Sequence, residues 1–173
     1  LGKRRKGREI VLQACYAAAI SGAKLDDTLE DQFARRTSAP ETVTFARRLM
    51  ALIRDHRQDL DTKVKSIISK NWNPDRLGAL EKVILTMGVA ELVYSKDVPV
   101  RVVINECLEL TRRYCDEEAV PFVNGVLDTA AKKVYPEGIP TLDGHVFEEE
   151  LPDDGSEETD ELDADFGPDK DLH

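Results

Sequence analysis

The sequence predicts an all-α fold of about seven helices followed by an acidic tail. Three observations predict it. Apolar residues recur with a period of about 3.6 through most of the chain, and no segment alternates like a half-buried strand. The apolar pattern stops near Tyr135-Pro136. The charge balance breaks at the same place: residues 1–135 carry 23 Lys/Arg against 19 Asp/Glu, net +4, and residues 136–173 carry one Lys against 15 Asp/Glu, net −14. A chain of 173 residues with 41% hydrophobic content can bury one sizeable core. We therefore expect residues 1–136 to form a single helical domain and residues 137–173 a disordered acidic tail that cannot bury enough surface to fold.

The first helix is expected over about Lys6 to Ile20, with Val11, Leu12, Cys15, Ala18 and Ala19 on its apolar face and Gly22 ending it. A second follows Asp26 or Asp27 as N-cap, carries Leu29, Phe33 and Ala34, and ends near Arg36. Ser38-Ala39-Pro40-Glu41 reads as a capping box with proline in the first turn. The third helix then turns Val43, Ala46, Leu49, Met50 and Ile53 to the core, and Leu60, Val64, Ile67 and Ile68 mark a short fourth.

Asn73-Pro74 is read as N-cap and first-turn proline of the fifth helix, which runs to Tyr94 with Leu77, Leu80, Ile84, Met87 and Leu92 on one stripe. Gly88 in its middle costs about 1 kcal/mol relative to Ala. Close approach of a neighbouring helix is the expected compensation. The sixth helix starts at Pro99 and faces inward through Val103, Ile104, Cys107 and Leu108. The seventh spans about Glu118 to Val134. Asn124-Gly125 has the form of a hairpin turn, but the helical period runs through it from Phe122, so a helix is expected.

Several functions are excluded by absence of their residues. His56, His145 and His173 fall in no zinc or metalloprotease spacing, and there is no glycine-rich phosphate loop and no G-x-S-x-G nucleophile elbow. The sequence asks for no cofactor, and an enzyme is not expected. Cys15, Cys107 and Cys115 are few and odd in number, with no CxxC pair, which suits a reducing cytoplasm, and Cys15 and Cys107 are expected to be small buried hydrophobes. No apolar run spans a bilayer, so no membrane partner is expected.

The informative segment is Lys3-Arg4-Arg5-Lys6-Gly7-Arg8, five cations leading directly into an amphipathic helix. The whole-chain pI of about 4.8 belongs to the tail and does not oppose nucleic-acid binding by the basic end. Arg5, Glu9 and Tyr16 fall on one helical edge, at the border of the apolar stripe. Arginines beside an exposed aromatic suit single-stranded RNA: guanidinium groups meet phosphates and the phenol ring offers a face to a base. The plain alternative is a solubilising terminus with Tyr16 as a core residue.

Four blocks together resemble the NusB family of transcription antitermination factors: Arg4 to Tyr16; Leu80-Glu81-Lys82-Val83-Ile84-Leu85; Val98-Pro99-Val100-Arg101-Val102-Val103-Ile104-Asn105-Glu106 with Leu108-Glu109-Leu110; and Phe122-Val123-Asn124-Gly125-Val126-Leu127-Asp128. The resemblance implies two packed helical subdomains that bind boxA-type single-stranded RNA together with the ribosomal protein NusE, within the RNA polymerase antitermination complex that reads ribosomal RNA operons. It implies RNA contacts from the basic arm, Lys3, Arg4, Arg5, Lys6 and Arg8, with Tyr16 and Phe122, and partner contacts near Glu81 and Glu118. Some members of the family self-associate, so a homodimer stays open. The alternative is a NusB-like helical accessory or interaction domain without its own boxA activity.

From the residues alone, Phe122 sits at core spacing with Val126, and Asn105, Asn124 and Asp128 are expected to hydrogen-bond between the sixth and seventh helices. Val120-Pro121 and the long tail depart from the family pattern. A tethered polyanion would compete with RNA for the basic arm.

Overall fold

The computed structural model describes residues 2–71, 77–140 and 146–147, with 69–71 and 146–147 as backbone only. Seven helices fill the described region: α1 (Lys3–Ser21), α2 (Leu25–Ala34), α3 (Pro40–Asp55), α4 (Arg57–Asn71), α5 (Ala79–Tyr94), α6 (Val100–Tyr114) and α7 (Ala119–Val134). Helices α1, α2 and α3 pack on one another, α5, α6 and α7 do the same, and α4 lies on α5 and α7. Contacts of α1 and α3 with α5 join the two groups, and one continuous apolar core runs through both. No described helix is long and apolar enough to cross a membrane.

Helix α1 starts three residues earlier than the apolar pattern indicates. Gly2 takes the N-cap position, and the Lys6 amide donates to its carbonyl at 3.0 Å. The basic segment is thus the first turn of the helix and not a separate extended arm. Cations at a helix N-terminus oppose the macrodipole. Carboxylates from other elements, Glu41, Asp97 and Glu106, offset this. At the other end Gly22 adopts the left-handed conformation, φ 73°, and its amide donates to the Ala18 carbonyl.

The caps of α2 and α3 differ from expectation. Lys24, and not an aspartate, precedes α2, leaving Asp26 and Asp27 in its first turn, and the helix stops at Ala34. Pro40 opens α3 as expected, but Ala39 holds the N-cap position without a side-chain cap. Ser38 lies one residue outside, its Oγ buried with no hydrogen-bond partner among the described residues. Glu41 does not fold back on the cap because Lys3 of α1 takes its carboxylate, at 2.6 Å.

The fourth helix is a full 15 residues, not a short one. It is tied to α5 where Tyr94 donates its hydroxyl to Asp59, and the same ring stacks on His56 at the junction of α3 and α4, ring centroids 3.7 Å apart. Described α5 begins at Ala79, after Gly78 as N-cap. The expected Asn73-Pro74 cap lies outside the described residues. Every residue from Met87 to Val93 is buried, so α5 is a central helix covered on all sides and not a one-sided stripe. A Cβ on Gly88 would come within 2.6 Å of Leu127 Cδ2 and 3.0 Å of Cys107 Sγ. That is the expected close approach, and it comes from two helices, α6 and α7.

Helix α7 runs unbroken through Asn124-Gly125. Pro121 falls in its first turn, where no intrahelical amide bond is lost. Asn105 and Asn124 are both exposed, against the expected bond between α6 and α7. That interface is filled by Val103, Cys107 and Leu110 on α6 and by Val123, Val126 and Leu127 on α7. Asp128 pairs within its own helix, 3.0 Å from Lys132. After α7 a two-residue antiparallel ladder, β1 (Ile139–Pro140) with β2 (Val146–Phe147), pairs Ile139 with Phe147. Alternation over so short a stretch leaves no sequence signal. Residues 141–145 and 148–173, which hold most of the expected disordered tail, lie outside the described residues.

Candidate nucleic-acid interface

The basic end of α1 is seated by Gly7 and Arg8. A Cβ on Gly7 would meet the Phe45 ring at 2.7 Å and the Thr42 carbonyl at 3.3 Å, so glycine lets α1 lie directly on α3. One residue on, Arg8 turns inward. Its Nε and Nη2 donate to Glu91 Oε2 and Oε1 at 2.8 and 2.7 Å, and the two side chains are 2% and 1% exposed. The Phe45 ring lies 4.9 Å from the guanidinium carbon. Burial alone would lower the Arg8 pKa, but the hydrogen bonds and charge of Glu91 outweigh it and raise it. Arg8 is therefore a charged structural link between α1 and α5. This corrects its expected place on the RNA-facing surface.

Arg5, by contrast, stays exposed to solvent and is held from below. Its Nε and Nη2 donate to Glu106 Oε2 and Oε1 at 2.9 and 2.8 Å. Arg5 is 40% exposed and Glu106 only 15%, so the carboxylate sits beneath a guanidinium that still reaches solvent. Those hydrogen bonds, and then the charge of Arg5, hold the Glu106 carboxyl below its ordinary range. Lys3 pairs with Glu41, and Arg4 lies 3.9 Å from Asp97. Lys6 is exposed, with no ion-pair partner among the described residues.

Farther along, a polar clamp fixes the middle of α1. Tyr114 at the end of α6 donates its hydroxyl to Glu9 and accepts from Gln13 Nε2 at 2.9 Å. Arg113 approaches Glu9 at 3.2 Å, and Arg36 donates to Gln13 Oε1 at 2.7 Å. Tyr16, 38% exposed, and Ile20, 67% exposed, follow on the same edge of α1. The expected row of Arg5 and Tyr16 is thus present, with a satisfied carboxylate, Glu9, between them.

The remaining candidates lie elsewhere. Phe122 is half-buried in a cavity of about 340 Å³ whose lining, including Ile67, Ile68 and Val126, comes from α4 and α7 and not from α1. Glu81 stands in the first turn of α5, its carboxylate folded against Gly78, where negative charge suits the helix dipole. Glu118 is exposed at the start of α7. Cys115, in the loop before it, has its thiol pushed up to about 11, by burial first and then by the charges of Glu81 and Asp116. Both partner candidates therefore lie on elements other than the basic end of α1.

Sequence reasoning missed the residues that organise the cations: Glu41, Phe45, Glu91, Asp97 and Glu106. One of them carried a readable signal. Glu91 is the single charge in the apolar run from Val83 to Val93, and a lone acid on a buried helix needs a buried cation.

The helical region is similar to known proteins over nearly all its length. The NusB family model matches residues 5–132. A transcription antitermination protein NusB from Myxococcus xanthus is 36% identical over 135 residues, covering 76% of this chain and 96% of that protein. The protein of the same name from Geobacter sulfurreducens is 34% identical, covering 80% of this chain and 100% of its own length. Among solved structures, T. maritima NusB superposes with a TM-score of 0.69 at 29% identity, covering 75% of this chain and 90% of that one. A chain from a crystal structure of the antitermination factors NusB and NusE with double-stranded RNA gives 0.68 at 26% identity, covering 75% and 96%. On the family match, the identity to near-complete relatives and the shared seven-helix fold, this chain belongs to the NusB family.

Proposed function

We propose that this protein is a transcription antitermination factor with a binding and not an enzymatic role, engaging boxA-type single-stranded RNA together with NusE to sustain transcription of ribosomal RNA operons. The observation that carries the proposal is the edge of α1, where Arg5 and Tyr16 stay accessible on a helix anchored at Arg8, with Lys6 exposed beside them. The anchoring reduces the ordering needed on binding, and the exposed cations and ring supply phosphate and base contacts. A similar protein crystallised with NusE and double-stranded RNA supports NusE and RNA as partners.

One observation favours the second reading, a helical interaction domain without its own boxA activity. Most cations of the basic end already have carboxylate partners. Fluorescence anisotropy separates the two. The full chain with NusE binds a boxA RNA more tightly than a scrambled RNA, single-stranded and double-stranded forms being titrated in parallel, and Arg5→Ala with Lys6→Ala weakens that binding. Equal binding of boxA and scrambled RNA, unaffected by those substitutions, favours the interaction domain.

A further inference from the structure

The first turn of α1 makes a second cationic contact, separate from the Arg5–Glu106 pair. There Arg4 and Arg48 of α3 converge on one carboxylate. Arg48 Nη1 and Nη2 donate to Asp97 Oδ2 and Oδ1 at 3.1 and 2.7 Å. Arg4 Nη2 lies 3.9 Å from the same Oδ2. Ser95 donates its hydroxyl to Oδ1 at 3.1 Å, which fixes the carboxylate in the loop before α6. Two guanidinium groups share one negative charge, and both remain more than half exposed, at 57% and 53%.

The other arginines of α3 differ. Arg47 has Glu30 to itself, and Arg54 has both Asp26 and Asp55. Lys3 and Arg5 at the end of α1 are likewise matched one to one. The Arg4–Arg48 pair therefore holds a surplus cation. Arg4 is also oriented, with its guanidinium carbon 5.7 Å from the centroid of the Phe45 ring. The charge of Arg8 on that ring is cancelled by Glu91 and adds nothing outward.

We propose that Arg4 and Arg48 form a phosphate-binding position for the RNA backbone, in which Asp97 holds the guanidinium groups in the free protein. A phosphodiester offers two anionic oxygens with the spacing a guanidinium fork accepts from a carboxylate. The RNA would cross the amino end of α1, with Arg5, Lys6 and Tyr16 on one side and Arg4 and Arg48 on the other. The inference rests on the RNA-binding reading above and extends the contact surface to α3, a helix none of the sequence candidates occupies.

The test is a salt-dependent anisotropy titration of the full chain with NusE and boxA RNA, comparing wild type with Arg48→Gln, Asp97→Asn and, as control, Arg47→Gln. Arg48→Gln should weaken binding about 5- to 10-fold at low salt and reduce the log–log salt slope by about 0.7, the loss of one single-strand phosphate contact. Asp97→Asn, which removes the competing charge and leaves both arginines, should tighten it. Arg47→Gln should match wild type. Arg48→Gln behaving like Arg47→Gln overturns the proposal, as does unchanged affinity in Asp97→Asn. Should Arg5→Gln weaken binding while Arg48→Gln does not, only the extension to α3 falls. No boxA binding by wild type removes both this proposal and the reading it rests on.

Discussion

Arg8 and Glu91 meet inside the protein through two parallel hydrogen bonds of 2.8 and 2.7 Å, and neither side chain is more than 2% exposed. The pair crosses from α1 to α5 and so links the two helical groups at the base of the cationic surface. Breaking a buried pair from one side leaves an uncompensated charge, which destabilises by about 3–5 kcal/mol. Glu91→Leu alone should therefore lower stability strongly in urea unfolding. Arg8→Met with Glu91→Leu should recover most of the loss, because two well-packed apolar residues need no partner. If the double variant is no more stable than Glu91→Leu, the pair is not acting as a charge pair.

Two glycines in adjoining elements should respond oppositely to alanine. At Gly88 a Cβ collides with Leu127 and Cys107, so Gly88→Ala should destabilise by about 1–3 kcal/mol despite its better helix propensity. At Gly125, mid-helix in α7, nothing lies within 4 Å of the new carbon. Gly125→Ala should stabilise by up to about 1 kcal/mol. Thermal unfolding of both variants checks the pair, and a shift of the same sign in each would contradict the close approach of α5, α6 and α7.

The contrast between α1 and α5 shows which features the sequence carries. Helix existence is a local property, so the 3.6 period located all seven helices, and it carried α7 correctly through Asn124-Gly125. The direction in which a cation points is tertiary. Arg5 and Arg8 are alike in a basic run, yet one lies at the surface on Glu106 and the other is buried on Glu91. Only the acid inside the apolar stretch of α5 distinguished them, and it sits 83 residues away. The capping box failed for the same reason. Ser38 and Glu41 have the right spacing, but Lys3 takes Glu41 from another helix. Asn105 and Asn124 were expected inside because a buried amide is easily satisfied between helices; apolar residues filled the space first.

Acid should loosen the seating of Arg5. Hydrogen bonds from Arg5, and then its charge, hold Glu106 below its ordinary range. A depressed folded-state value means the contribution is fully present above the unfolded glutamate range, near about 4.3, and is lost as pH falls through the lower folded value. The Arg5–Glu106 contact should therefore be unchanged between neutrality and mild acid and should open only below that range. NMR titration of the Glu106 carboxyl carbon should show a midpoint below about 4.3. Arg5→Gln should move the midpoint upward. A midpoint that ignores this substitution would assign the shift to some other group.

The charge division of the chain leads to a prediction about its last residues. Residues 136–173 carry a net −14 beside a helical region of net +4. Charges carried on the same chain act at an effective concentration of about millimolar, so these carboxylates are expected to compete with RNA phosphates for Arg4, Arg5 and Lys6. The competition is electrostatic. The screening length shortens from about 30 Å at 0.01 M salt to about 8 Å at 0.15 M, so the effect should fade as salt rises. A chain ending at residue 140 should bind boxA RNA more tightly than the full chain at low salt, with the two affinities converging at physiological ionic strength. Anisotropy titrations of both chains across that salt range decide it. A constant ratio, or none at any salt, would mean that the acidic segment does not reach the basic end of α1, leaving it as a solubilising extension.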